Sequence, residues 1–410
     1  MATTEPFSLR QETRLQPPEG AQSIRVVDLF AGCGGLSLGI QQAATAADLR
    51  LDIALAVDFE ESATKVYRTN FPDANAITAP VEDYFDGAPG SEPTETELAV
   101  QKAYPDIAFL VGGPPCQGHS NLNNKTRRND PKNELYARMG RAAEILRPTF
   151  LVIENVPSVN RDSDQVVERT IEHLRTLNYD VDTAVVSLHA LGVAQTRRRH
   201  VLLASADNRV SAKEVLEDLT SREVDKEKNL RWAIGDLVTP KNPKNYDHEP
   251  TPNATNLARM KYLLDNDEYD LPPEHRPTCH QKAHTYKSMY GRLNWTLPAQ
   301  TVTSGFGSIG QGRYMHPEKL RALTAHEAAR IQGFPDYFDF SAIAFRTHLA
   351  TMIGNAVPPA LMRETATLLL PYLRDTAAAA DGKAELASID RILIRPTDFA
   401  AVDASLDLAG

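Results

Sequence analysis

Only three cysteines, Cys33, Cys116 and Cys279, occur in 410 residues. They are too few and too far apart for a disulfide framework or a paired-cysteine zinc site, so no metal is expected and a reducing, intracellular compartment fits best. Long apolar runs are absent as well. The longest, such as 107–111, fall far short of the roughly 20 residues of a membrane span and end at a glycine or a charge. The first two dozen residues lack the apolar stretch of a secretory signal. Nor is positive charge in excess: 44 Lys and Arg stand against 54 Asp and Glu, a formal net charge of −10. That excludes a uniformly basic nucleic-acid coat but permits a local basic groove on an acidic body. Hydrophobic residues at 42% and charged residues at 24% then describe an ordinary folded chain of two or three domains.

What is present is an alternation. Short, β-branched apolar runs (IRVVDLF, LDIALAVD, DIAFLVGG, TFLVIENV, YDVDTAVVSL, RHVLLAS) are separated by amphipathic stretches that predict helices over 36–47, 62–70, 134–147 and 164–178. This predicts an α/β fold, a Rossmann-like, mostly parallel sheet with helices on both faces, whose ligands bind beyond the carboxyl ends of the strands. After about residue 205 the alternation stops, and 206–295 is polar and rich in turn formers such as TPKNPKNYDHEPTP. Helices are predicted again over 324–333 and 360–372, the second behind two prolines. The expected organisation is a flexible tail over 1–23, a catalytic and cofactor-binding domain over 24–205, a small irregular domain over 206–295, a return to the first domain over 296–374 and an appendage over 375–410.

Four strand-end loops carry candidate chemistry. In DLFAGCGG, Gly32, Gly34 and Gly35 permit a tight turn and close approach of the backbone to a ligand at a helix start, without forming a full dinucleotide fingerprint. Asp58, at the end of LDIALAVD, either accepts hydrogen bonds from ribose hydroxyls or is a strand-end acid facing solvent; the residue alone does not choose. Cys116 follows two glycines and two prolines in GGPPCQGHS, a stiff turn that holds its sulfur at the mouth of the crevice, as a nucleophile requires. Cys33 and Cys279 read as packing cysteines. Glu154 ends an apolar strand, where partial desolvation suits a carboxyl to hold or donate a proton. In QTRRR, alternation sends Arg197 and Arg199 to one face, either to converge on an anionic or carbonyl-bearing substrate or to form a solvated basic edge.

Together these loops resemble the C5-cytosine-specific DNA methyltransferase family, in its simpler bacterial and phage modification-enzyme form. DLFAGCGG is similar to its cofactor motif, PPCQ to its nucleophile motif, ENV to its glutamate motif and QTRRR to its QxRxR motif. RALTAHEAARIQGFPD (321–336) and GNAVPP (354–359) resemble its last two blocks, all in the family's order from about residue 25 to 373. Each motif is weak alone, and six in order are strong.

The resemblance implies transfer of a methyl group from S-adenosylmethionine to carbon 5 of cytosine in duplex DNA. Cys116 would add at carbon 6 of a flipped-out base while Glu154 protonates N3, and Arg197 and Arg199 would hold the O2 side. It also implies Phe30 stacked on the adenine, Gly32, Gly34 and Gly35 at the methionine end, Asp58 on the ribose, Phe59 and Asp83 near the adenine, and Asn355 near both the cofactor and the nucleophile loop. DNA contacts fall to Gln117, Ser120, Lys125, Arg127 and Arg128, and the small domain takes the place of the target-recognition domain. There Lys241, Lys244, Arg276, Lys282, Lys287 and Arg292 are natural phosphate contacts. His119 stands where the family has phenylalanine, and reads as a packing substitution. The implied setting is a monomer on DNA in the cytoplasm, with a cognate restriction endonuclease as genetic neighbour. An RNA cytosine methyltransferase, a catalytically idle DNA-binding homologue and a nicotinamide dehydrogenase are the competing readings. The first lacks its distinctive Cys-Phe-Thr tripeptide here, the second conflicts with the retained chemical positions, and the third leaves PPC and QTRRR without a role.

Overall fold

The computed structural model describes residues 7–115, 134–161, 165–240, 243–281 and 288–380. Each of the six apolar runs becomes a strand: β1 (Ser23–Leu29), β2 (Arg50–Asp58), β4 (Phe109–Gly112), β5 (Phe150–Asn155), β6 (Asp180–Ser187) and β7 (Arg198–Ser205). A short β3 (Ala76–Thr78) joins them in a seven-stranded sheet of order β3-β2-β1-β4-β5-β7-β6. β7 alone runs antiparallel to its neighbours. Every residue of β4 and β5 is buried, which explains why these strands read as continuous apolar runs without alternation.

Two helical layers cover the sheet. On one face α1 (Gly35–Ala46), α6 (Ala212–Ser221) and α11 (Ala360–Ala380) pack Leu36, Ile40, Leu216, Leu361 and Leu369 onto Val26, Val111, Val152 and Val201. On the other, α3 (Glu95–Ala103), α4 (Glu134–Leu146) and α5 (Val166–Thr176) pack Val100, Met139, Ile145 and Leu174 onto Val27, Leu110, Leu151 and Leu202. Successive strand residues thus serve opposite faces, the period-two rule of a sheet. A third core joins α2 (Glu61–Asn70) to α7 (Leu230–Ile234), α8 (Ala254–Asp265), α9 (Ala325–Ile331) and α10 (Arg346–Asn355), through Tyr67, Ile234, Leu263, Ile331 and Ile353.

Several expectations change. The tail expected over 1–23 is packed from residue 7 onward. Leu9 is buried, its carbonyl and that of Gln11 accept from the amides of Asp336 and Tyr337, and Arg10 pairs with Asp236 at 2.7 Å. The sheet layer does not end at 205, because α6 carries Leu216 and Leu219 onto it. α11 continues to Ala380, past the boundary at 374. Among the described residues no helix is long and apolar enough to cross a membrane.

Candidate active site

One rung of the sheet sets the site. Ile77, Val57, Leu29, Gly112, Ile153, Leu202 and Thr183 pair in register across all seven strands. The strand order reverses between β1 and β4, the switch point where an α/β sheet opens its ligand crevice. One residue beyond that rung on β1, β2, β4 and β5 stand Phe30, Asp58, Gly113 and Glu154.

Glu154 is 6% exposed, and its Oε1 lies 2.5 Å from Nε of Arg199, which reaches across from antiparallel β7. Its Oε2 lies against Gly113, where a Cβ would come within 3.3 Å. The carboxyl is therefore ion-paired rather than merely desolvated, and it abuts the backbone leading into PPC. Next along β5, Asn155 donates from Nδ2 to the carbonyl of Pro114 at 3.2 Å. Cys116 itself lies outside the described residues, as do Gln117, His119, Ser120, Lys125, Arg127, Arg128, Lys241, Lys282 and Lys287.

The β1 loop is built around left-handed backbone at Phe30 (φ 55°), Gly32 (φ 55°) and Gly34 (φ 96°). The three glycines differ. A Cβ on Gly32 would meet nothing within 4 Å, whereas on Gly34 it would strike Phe71 at 2.7 Å and on Gly35 the carbonyl oxygen of Val357 at 2.1 Å. Gly32 thus faces open space, and Gly34 and Gly35 allow close packing. Asp58 accepts from the amides of Gly32 at 2.8 Å and Glu60 at 2.9 Å, so it ties the β1 loop to the end of β2; burial raises its pKa against those bonds. Phe59 beside it is 64% exposed, a large apolar ring open to solvent. Asp83 is exposed in a turn after β3, and Asn355 is exposed at the end of α10.

The arginines of QTRRR do not converge on one point. Arg197 is 2% exposed and donates to the carbonyls of Val302, Gly354 and Ala356. It fastens the returning chain to the sheet, which takes it out of the substrate-facing role expected beside Arg199. The reason is position: Arg197 precedes β7, so strand alternation does not govern it. Lys244 and Arg292 are likewise engaged internally, on the carbonyl of Asp336 and on Pro317 and Asp267. Cys33 behaves as expected of a packing cysteine, buried with its thiol pushed up to about 12 by desolvation.

A family model described as C-5 cytosine-specific DNA methylase matches residues 24–370. The chain belongs to the C-5 cytosine-specific DNA methylase family. This methylase is 39% identical over 354 residues to the Type II methyltransferase M1.BsuMI of Bacillus subtilis (strain 168), covering 86% of this chain and 82% of the relative. It is 29% identical over 362 residues to the Type II methylase M.HgiDII of Herpetosiphon aurantiacus, covering 85% and 95%. The DNA (cytosine-5)-methyltransferase 3 of Arabidopsis thaliana is 27% identical over 437 residues, 85% of this chain but 31% of the plant protein. Among solved structures, the S. pombe Dnmt2 methyltransferase superposes with a TM-score of 0.58 at 18% identity, covering 85% of this chain and 99% of that one. At that identity the likeness speaks to fold.

The methylase also uses residues that the sequence reading passed over. Gln195 is fully buried, donates to Gln332 at 2.6 Å and accepts from the amide of Val302 at 3.1 Å. Gln332 in turn donates to the carbonyl of Ile353 at 2.7 Å, so the two glutamines join QTRRR, α9 and α10. Asn155 was visible only as a letter of ENV. Asp28 was visible only as a letter of DLFAGCGG, yet it is fully buried beneath the β1 loop.

Proposed function

We propose that this DNA cytosine-5 methylase takes its methyl group from S-adenosylmethionine and places it on a cytosine flipped out of a specific duplex sequence, with Cys116 as nucleophile and Glu154 as the group that handles the proton at N3. The observation that carries this reading is the convergence of Gly113 and Pro114, the Glu154–Arg199 pair and the open Gly32 loop at one end of one sheet.

The residues present fit such a cofactor. Gly32 leaves space, Phe59 offers an exposed ring for an adenine, and Asp28 keeps one buried carboxyl oxygen without a partner. In this reading Asp58 and Asp83 take the ribose and the adenine amino group, Phe30 and Asn355 complete the pocket, and Gly34 and Gly35 let the loop pack closely beneath it. Bound there, S-adenosylmethionine supplies an electrophilic methyl group. The chain must make carbon 5 of an aromatic ring able to take it. A thiolate of Cys116 adds to carbon 6, and Glu154 places a proton on N3, which moves electron density to carbon 5. Arg199 holds Glu154 and borders the ring's O2 side. Once carbon 5 carries the methyl group, loss of its proton to water expels the thiolate, and the N3 proton returns to the Glu154 carboxylate, which restores the neutral ring. Asn155, through Pro114, sets the backbone two residues before the nucleophile.

For DNA, the α8 surface supports a reading role. A groove of about 590 Å³ there is lined by Arg259, Lys261 and Arg276, by Asp265 and Glu274, and by a Tyr262–His275 stack with ring centroids 4.0 Å apart. Two bacterial relatives carry type II methylase names, and by the same family reading this chain is a monomeric modification enzyme of the cytoplasm, acting on the nucleoid with a restriction endonuclease as genetic neighbour. The test is transfer of labelled methyl to mixed-sequence duplex DNA and to transfer RNA by wild type and Cys116→Ala, with base-resolution mapping. Label at cytosines of one short DNA motif, absent in Cys116→Ala, is expected. Label in RNA alone, or none from folded protein, overturns the reading.

A further inference from the structure

Away from the crevice, α3 and α4 bury an ion pair that the methyl-transfer scheme leaves unused. The side chains of Glu97 and Arg141 have no exposure; Nη2 of the arginine meets Oε2 at 2.6 Å and Nε meets Oε1 at 2.9 Å. The same guanidinium also donates to the carbonyls of Ser91 at 2.8 Å and Glu92 at 3.2 Å. Arg138, one turn earlier on α4, donates to the carbonyls of Phe85 at 3.1 Å and Gly87 at 2.5 Å. Glu97 and Glu144 accept from the amides of Gly87 and Gly90, each at 3.0 Å. Side chains of two helices thus hold the main chain of 85–92 at both its carbonyls and its amides. The fit is close: a Cβ on Gly87 would come within 2.6 Å of Nη2 of Arg141. A buried ion pair is a weak source of stability, because desolvation offsets its attraction. What this one contributes is a fixed geometry.

The two stretches so joined lead to the site from different sides. Residues 85–92 continue directly from the turn 81–83, through the buried Tyr84 and Phe85. α4 presses Met139 onto Gly112, the last residue of β4, so closely that a Cβ there would lie 2.7 Å from its sulfur. From Gly112 the chain runs on into PPC. Resting on the cofactor reading above, we propose that Arg138 and Arg141 are positioning residues that lock the stretch 81–92 to α4. Asp83 is then held in place for the adenine amino group before the cofactor arrives, and binding does not have to order it. Neither arginine touches the cofactor. Each acts through the main chain that carries Asp83.

The test is a double-mutant cycle on the Kd of S-adenosylhomocysteine, measured by calorimetry on the full chain, with Asp83→Ala as one member and Arg138→Met or Arg141→Lys as the other. Each arginine variant is expected to raise Kd roughly two- to tenfold. Each double variant is expected to bind no more weakly than Asp83→Ala alone, because the positioned group is already gone. Arg138→Lys, which keeps a donor for one of the two carbonyls, is expected to fall between wild type and Arg138→Met and serves the same cycle if the methionine variant does not fold. An arginine that only stabilised the fold would lower the melting temperature and multiply with Asp83→Ala. Effects that multiply, or an unchanged Kd in Arg138→Met or in Asp83→Ala, overturn the proposal and leave the cofactor reading intact. Failure of folded wild type to bind S-adenosylhomocysteine overturns the cofactor reading itself.

Discussion

Arg199 and Glu154 face each other across the antiparallel β5–β7 pair, Nε to Oε1 at 2.5 Å, with side chains 12% and 8% exposed. A proton-handling carboxyl held this way has one oxygen fixed by a guanidinium and the other facing the backbone of Gly113. Glu154→Gln is expected to slow methyl transfer by about 10²–10⁴-fold, the usual worth of a positioned acid or base, while cofactor affinity stays within a few-fold. Single-turnover transfer and calorimetry separate the two. Arg199→Lys, which keeps the charge but not the planar fork, is expected to lose less rate than Arg199→Ala.

Gly32 and Gly35 answer differently to the same substitution. Gly35→Ala drives a Cβ against the backbone oxygen of Val357 and is expected to destabilise the chain by about 1–3 kcal/mol or more, measured by thermal unfolding. Gly32→Ala enters open space at a left-handed φ and is expected to cost about 1–2 kcal/mol, with its larger effect a rise in cofactor Kd.

Asn155→Ala removes the bond to the Pro114 carbonyl and is expected to cost about 1 kcal/mol of stability. Its main effect falls on the rate of covalent trapping by 5-fluorocytosine DNA. Equal trapping by wild type and variant would show that this bond does not position the nucleophile.

His326 lies between Asp247 and Asp336, its ring nitrogens 2.8 and 2.9 Å from one oxygen of each. Burial lowers its pKa, but the two carboxylates outweigh that and the net direction is up; Asp336, bonded also by Arg330, is brought down to about 2. The histidine therefore contributes stability that is complete below its unfolded value of about 6.5 and is lost as pH rises through the higher folded value. Melting temperature is expected to fall on the alkaline side of neutrality, and His326→Gln is expected to flatten that fall.

The strands and the motif positions were legible because buried β-branched runs and glycine–proline turns carry local signals. β3, α3, α6, α7, α8 and α10 were not. β3 is three residues long, and α8 presents only Met260 and Leu263 as buried residues, too few to stand out from a polar stretch. The docked segment around Leu9 and Arg10 was illegible for a related reason: its partners, Asp236 and Asp336, lie more than two hundred residues away. Arg199 lies within a strand, where alternation governs its direction, and meets Glu154. Arg197 lies outside it, and its partners are carbonyls of residues 302, 354 and 356, contacts that no spacing near residue 197 announces.

The packing of Gly35 and Gly39 on the carbonyls of Val357 and Pro359 also bears on how the molecule is made. The glycine loop after β1 has no floor beneath it until the chain has been made more than 300 residues further, through Val357 and Pro359. A nascent chain of even 350 residues holds the glutamate, the arginines and the loop glycines, yet it cannot close the crevice around a ligand. Synthesis itself thus delays the onset of chemistry until Val357 and Pro359 have been added, and a stop codon upstream of Val357 is expected to leave an inert product rather than a slower enzyme.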